Sequence, residues 1–471
     1  MIFEKLERYS SRIAVINRNN EALTFIDLIK MSKQIGLNVK KRSLIFLLGE
    51  NSIESLAGYI GFINSGSVIM LINSEINDDD LFTLYNKYLP DFLWCSKKIS
   101  LNLTGKNFST IFDIGEFQLL KNKKKIPFLM DENLMLLLNT SGSLGEPKCV
   151  KLTYENVKKN SLAIIDYLKI DSEDRTITTM SMNYSYGLSI INTHLITGAS
   201  IILNKKTLID NDFWKIFYKN KVNNFNGVPY TYEIIKRIGY SKLFLNKIKY
   251  ITQAGGKMNE NIISEISESS IKSGSKFYVM YGQTEASPRM SYINVNDYPE
   301  KRGSIGKPIK GGKFSLQDDE GNEIKKNEKT GELVYYGKNV FTGYSFDFHD
   351  LNKKNEIRNK LQTGDLAKRD TEGYYYIVGR KKRFIKLYGD RINLDYLEIK
   401  LKSKNFKTAC IGNDNQLIIF CELKKNEKLN KNEISKIINV PQSRFKLIEL
   451  ESLPLNENKK ISYVKLNKMA I

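Results

Sequence analysis

Two apolar runs, residues 43–48 and 67–72, flank a helical pattern over 51–63 that stops near Gly66. Strand, helix and strand in that order need a crossover, so the two strands lie parallel in one sheet. Strand and helix patterns alternate again through 200–203, 213–218 and 250–252, while the charged stretch 121–127 reads as a solvated connection. From 313 to 376 the pattern changes to short strands with Gly and Asp turns, as in a distorted antiparallel barrel. The expected fold class is α/β. A large N-terminal domain, residues 1–381, holds parallel-sheet subdomains and the distorted β-barrel, and a small α+β domain covers 382–471.

A further apolar run, residues 134–138, leads into Asn139-Thr140-Ser141-Gly142-Ser143-Leu144-Gly145-Glu146-Pro147-Lys148. A buried strand ending in hydroxyls, glycines and a lysine suits a polyphosphate. Glycines let backbone N–H groups approach the oxygens, hydroxyls add donors, and the lysine adds a point charge. The loop is not a Walker A sequence, because no Gly-Lys-Ser/Thr closes it. A plain Ser/Gly-rich surface loop is the alternative reading of this segment taken alone.

Thr140 to Lys148 resembles the phosphate loop of the adenylate-forming superfamily, which includes acyl-CoA synthetases, peptide-synthetase adenylation domains and luciferases. Four more matches follow in that superfamily's order. They are Tyr281-Gly282-Gln283-Thr284-Glu285, Thr363-Gly364-Asp365, the run from Gly379-Arg380-Lys381-Lys382 through Gly389-Asp390-Arg391-Ile392 to Glu398, and Pro454 to Lys460. Two departures stand out. Leu144 replaces a threonine, which removes one hydroxyl from the loop. Lys459 replaces the glycine before the catalytic lysine, where glycine would adopt a positive φ cheaply, and spacing from Asn458 favours Lys460 over Lys459 as that lysine.

The resemblance implies the roles. ATP is bound by Thr140, Ser141, Gly142, Ser143, Gly145 and Lys148 at the phosphates, Tyr281 and Gly282 at adenine, and Asp365 with Arg380 at the ribose. Ala254, Gly255 and Gly256 resemble the segment lining the adenine pocket. Thr284 reaches the α-phosphate, Glu285 holds Mg²⁺, and Lys460 bridges the attacking carboxylate and the α-phosphate. Lys382 is the hinge of a mobile C-terminal domain, and Gly389 lies on the tunnel by which a thiol enters. The acid pocket falls on Tyr184, Gly187, Gly227 and Tyr230, with Tyr232 an alternative to Tyr230. Amino-acid-activating members carry an Asp in the Tyr184 segment. No Asp or Glu occurs between Arg175 and Ile209, which points to a neutral acyl or aryl acid. The implied activity is that of an ATP-dependent acid–thiol ligase. It uses ATP, Mg²⁺ and coenzyme A, or the phosphopantetheine arm of an acyl carrier protein.

Composition narrows the alternatives. With only two histidines, His194 and His349, chemistry that depends on imidazole has few places to sit. His349 lies in a polar stretch and His194 in an apolar helical pattern where it packs. Adenylation needs neither, because ATP supplies the leaving group. Cys95, Cys149, Cys410 and Cys421 have no metal or redox spacing, which reads as a cytoplasmic chain with free thiols. No run of 18 apolar residues is present, so no membrane span is expected, and the first residues lack a signal-peptide pattern. The net charge is +21. No nucleic-acid motif accompanies it, and a Lys-rich composition accounts for most of it. From Arg383 onward, however, 18 Lys/Arg stand against 10 Asp/Glu, a density that suits an acidic carrier protein or the phosphates of coenzyme A. Two other readings stay open, an amino-acid-activating ligase that loads a carrier and a non-catalytic nucleotide- or nucleic-acid-binding protein of the same fold.

Overall fold

The structure is a computed structural model. It describes the chain apart from residues 1, 18, 100–106, 125, 141–147, 354–356, 358, 388–389, 405, 414–415, 424–429, 439, 457–459 and 471; of Thr140, Lys382, Phe384, Lys386, Leu387, Asp390, Arg391, Asn393 and Ser403 it describes the backbone alone. Two compact units emerge. One comprises Met1–Ser141, Pro147–Lys313 and Tyr335–Leu361, and the other chiefly Phe314–Val334 and Gln362–Ile471. Lys382, the expected hinge, lies within the second unit's range.

The first unit is built on two mixed sheets. In one, Leu44–Gly49 pairs in parallel with Val68–Asn73 from Leu44 opposite Val68 to Gly49 opposite Asn73, as the strand–helix–strand order requires. All six residues of the first strand are buried, consistent with a strand covered on both faces. The intervening helix is Ile53–Asn64; it starts two residues later than the periodicity indicates because the Ser52 hydroxyl caps it, accepting from the Ser55 N–H. Leu134–Thr140 lies beside Val68–Asn73 in parallel and pairs antiparallel with Lys148–Thr153. The stretch expected to be a solvated connection starts later than 121, since Lys121 and Asn122 close the strand Phe117–Asn122. Asn122 is buried, its amide donating to the Pro90 carbonyl at 2.9 Å. Residues 213–218 fall in a helix, Asn211–Lys219.

The other sheet runs, in part, Arg289–Asn294, Lys276–Gly282, Tyr250–Gln253, Asn224–Gly227. The last three strands are parallel and Arg289–Asn294 is antiparallel to its neighbour. The helix Ser185–Thr197 belongs to the same unit and ends where Gly198 turns left-handed at φ 74°.

The second unit draws on a sheet ordered Gly312–Gln317, Gly331–Gly337, Lys360–Arg369, Tyr375–Arg380. These are the short strands foreseen over 313–376, and their pairing among the described residues is an open order of four. Beyond them, Lys407–Asn413, Gln416–Glu422 and Phe445–Leu450 form a three-stranded sheet accompanied by the helices Leu394–Ser403, Lys431–Ile438 and Tyr463–Met469. The α+β reading of the last 89 residues matches this arrangement.

Candidate active site

In the first unit the site grows from the end of Lys276–Gly282. The chain reverses over 283–288 and returns as Arg289–Asn294, with Gln283 N–H donating to the Pro288 carbonyl at 2.9 Å. Gly282 makes the reversal possible, because a Cβ there would sit 1.9 Å from the Pro288 oxygen. Thr284 and Glu285 ride on the short 3₁₀ turn Thr284–Ala286. Asn339 braces it by donating to the carbonyls of Ala286 and Arg289, at 2.7 and 3.0 Å.

Thr284 lies 3.1 Å, hydroxyl to hydroxyl, from Ser185 at the start of the helix Ser185–Thr197. The Glu285 carboxylate accepts from the Tyr344 phenol at 2.8 Å. Burial and, after it, the Glu285 charge push that phenol up, so it stays a proton donor. The Lys148 ammonium stands 3.5 Å from the centroid of the same ring. Lysine, aromatic ring and carboxylate thus form one short array. The strand Tyr344–Ser345 brings the tyrosine in by pairing with Lys148–Thr153, Tyr344 opposite Val150. Tyr281, half-buried, ends the preceding strand.

Glu285 fits Mg²⁺ in the manner of a site completed by nucleotide phosphates, where one or two carboxylates suffice. One of its oxygens is held by Tyr344, which orients the carboxylate. Among the described residues no group of three or more His, Cys, Asp and Glu gathers.

Gly255, at φ 89°, passes so close to Tyr184 that a Cβ would fall 2.6 Å from the phenol oxygen. Gln253 donates to the Gly256 carbonyl at 2.8 Å, which fixes this loop. Ala254 is buried. Gly187 packs against the Ser181 carbonyl, and Gly227 against Thr231 and Tyr232. Tyr230 is exposed, whereas Tyr232 is buried with its hydroxyl on the Thr252 carbonyl. The structure therefore brings Tyr184 to Gly255 and Thr284 to Ser185, and it leaves Tyr230 at the surface. Ser141, Gly142, Ser143, Gly145 and Gly389 lie outside the described residues.

In the second unit, antiparallel pairing sets Asp365 opposite Arg380, and the two form an ion pair at 3.3 Å with the Asp365 side chain 6% exposed. Thr363 fixes the approach, donating to the Leu333 carbonyl and accepting the Asp365 N–H. Lys381 is held by Glu332 and Asp319 at 3.0 and 3.3 Å. One residue past Lys382, Arg383 reaches Asp395, Glu398 and the Cys410 carbonyl at 2.8, 2.5 and 2.6 Å. Burial pushes the Glu398 carboxyl up, and Arg383 opposes that shift. Tyr463 donates to Glu398 at 2.9 Å. Lys460 precedes this tyrosine in a narrow turn. Leu455 bridges Ile461, Asn456 N–H donates to the Lys460 carbonyl at 2.7 Å, and Lys460 N–H donates to the Asn456 side chain at 2.9 Å. Lys460 is exposed.

Sequence motifs did not point to Tyr344, Ser185, Asn339, Arg289 or Tyr463. Arg289 carries the one usable signal, a cation opening the otherwise uncharged strand Arg289–Asn294.

Comparison with known proteins agrees with this architecture. The chain is 24% identical to 2-succinylbenzoate–CoA ligase of Bacillus cytotoxicus over 487 residues, covering 96% of this chain and 94% of the relative. It is 26% identical to indoleacetate–CoA ligase of Aromatoleum aromaticum over 374 residues, covering 75% and 72%. Among solved structures, o-succinylbenzoate CoA synthetase from Bacillus subtilis, in complex with its acyl-adenylate intermediate, superposes with a TM-score of 0.79. That match has 20% identity and covers 99% of this chain and 97% of that one, a likeness that shows the fold. No helix among the described residues is long and apolar enough to cross a membrane. The family described as AMP-binding enzyme matches residues 2–345, and the chain belongs to that family.

Proposed function

We propose that this enzyme activates a carboxylic acid as an acyl-adenylate and passes the acyl group to a thiol. The observation that carries the reading is the array Lys148–Tyr344–Glu285 with the Thr284–Ser185 hydroxyl pair beside it. It sets a cation, an oriented carboxylate and hydroxyl donors together in one unit, as transfer at a phosphate requires.

Lys148 meets the outer phosphates of ATP, Tyr281 and the Gly255–Gly256 backbone hold adenine, and Asp365 with Arg380 holds the ribose. When bound at Glu285, Mg²⁺ supplies charge neutralisation on the phosphates. Thr284 and Ser185 donate toward the α-phosphate and the attacking acid. A carboxylate oxygen attacks the α-phosphorus, the bond to pyrophosphate breaks, and acyl-adenylate forms. Two anions meet in this step, and the Lys460 ammonium offsets their repulsion. In the second step a thiol sulfur attacks the acyl carbonyl and AMP leaves. Lys382 serves as the hinge between these steps, and Gly389 keeps the thiol's path clear.

Relatives named as CoA ligases support coenzyme A as acceptor. An acidic carrier protein bearing phosphopantetheine is the second reading. It is favoured by a groove on the second unit lined by Lys400, Lys404 and Lys436 around Ile437. Acid-dependent exchange of pyrophosphate into ATP tests the core of the proposal. The enzyme should catalyse exchange with at least one carboxylic acid and none without acid. Absence of exchange across a broad acid panel, with ATP binding intact, would refute it.

A further inference from the structure

Arg289 is 3% exposed, and its backbone is clamped. Asn160 donates to its carbonyl at 2.7 Å and accepts its N–H at 3.2 Å. Its guanidinium donates to the Ser189 hydroxyl at 3.3 Å and lies 4.5 Å from the centroid of the Tyr186 ring. Its Nε has no protein partner, and no carboxylate pairs with it among the described residues. The tyrosines that feel its charge do not compensate it. Burial pushes the Tyr186 phenol up to about 12, with Arg289 opposing, and Tyr167 and Tyr184 are raised in the same way. Burial lowers His194 to about 4, so it stays neutral and adds no second cation.

Arg289 lines a cavity together with Tyr186, Ser189, Asn226, Tyr250 and Thr252. The Tyr250 hydroxyl is also buried and without a protein partner. Two orphaned polar groups in one cavity are a costly arrangement, and a lone buried cation costs several kcal/mol unless an anion meets it. The free volume is about 10 Å³, room for a single water. Met280, an unbranched and adaptable side chain, forms part of the wall. Ser185, which touches Thr284 at the reacting end, and Ser189, which touches Arg289, are one helical turn apart, about 6 Å.

We infer that Arg289 receives a second anionic group of the acid substrate, which makes the substrate class a short dicarboxylic acid. One carboxylate is adenylated near Thr284, and the other meets the Nε edge of Arg289, where a guanidinium offers two parallel donors. The second carboxylate enters the cavity as Met280, part of its wall, shifts. This inference rests on the ligase reading above. It replaces the neutral acid expected from the sequence.

The test is pyrophosphate exchange with succinate, glutarate, phthalate and 2-succinylbenzoate, each beside its monomethyl ester. Wild-type enzyme should prefer at least one diacid over its ester by about a hundredfold in kcat/KM. Arg289→Met should abolish that preference, while Arg289→Lys, which keeps the charge without the fork, should retain part of it. Thermal melting and ATP binding of both variants report their folding. If Arg289→Met does not fold, the wild-type preference and the Arg289→Lys result decide. Esters used as well as diacids, or an unchanged preference in Arg289→Met, would overturn the inference and leave the ligase reading standing. Exchange with no acid at all would overturn both.

Discussion

The two units treat an arginine shielded from solvent, half-buried Arg383 and buried Arg289, in opposite ways. In the second, Arg383 meets Asp395, Glu398 and a backbone carbonyl, and Tyr463 completes the shell of Glu398. In the first, Arg289 has the Ser189 hydroxyl, the Tyr186 face and the Tyr167 side chain, and no carboxylate among the described residues. Arg383 is satisfied within its own fold, and through Glu398 and Tyr463 it ties the segment after Lys382 to the helix that follows Lys460. Arg289 keeps one donor, Nε, without a partner in its fold, and the proposal fills it with a substrate carboxylate. Arg383, paired within its own fold, marks architecture, and Arg289, with one donor left over, is where the proposal places substrate.

The sharpest way to break this contrast is Glu398→Ala. Removing Glu398 from this half-buried network takes away the bonds it accepts from Arg383, Tyr463 and the Cys410 N–H, and the loss should be about 3 kcal/mol, seen as an early melting transition confined to the second unit. A melt unchanged from wild type would show that the network is not structural.

The first unit carries the pH-dependent term. His194 Nδ1 donates to the Ile190 carbonyl at 2.8 Å, and Nε2 faces the Asn224 amide at 3.3 Å, so the neutral ring suits both bonds. Its folded value of about 4 lies below the ordinary 6.5. The unfolded chain therefore binds the extra proton between those values. Stability from this group is complete above about pH 6.5 and drains away as pH falls toward 4, by about 3 kcal/mol. Denaturant titrations across that range should show the loss, and His194→Gln should flatten it. An identical slope in the variant would reassign the effect.

Tyr344→Phe is the mildest of these changes. It removes the bond that orients Glu285 but keeps the ring under Lys148. Affinity for Mg·ATP should weaken about tenfold, measured calorimetrically, while transfer from a supplied acyl-adenylate stays near wild type. Equal loss in both would place Tyr344 in general packing.

Much of this was readable from the sequence because it is local. The loop ending in Lys148, the Tyr281–Glu285 and Thr363–Asp365 segments and the terminal lysine are each motifs of a few residues of chain, and the strand–helix–strand order around residues 43–72 dictated a parallel pairing that the structure contains. What escaped was tertiary. Tyr344 reaches Glu285 across 59 residues, and nothing near either one announces the other. Arg289 was missed for a different reason, because its meaning lies in the carboxylates that do not surround it. Tyr230 and Tyr232 are two positions apart on the helix Pro229–Ile238, and only packing decides that Tyr232 turns inward. The helix Ile53–Asn64 begins where a serine caps it, a detail that periodicity blurs by two residues.

In the proposed reaction one chain performs two half-reactions, and Lys460 of the second unit serves only the first of them. Lys460→Ala separates them most directly. Pyrophosphate exchange with the activated acid and thioester formation from a supplied acyl-adenylate are measured on the same preparation. Exchange should fall by about 10²–10³, with transfer within a few-fold of wild type. Full exchange in the variant, or an equal collapse of both rates with folding intact, would contradict the claim.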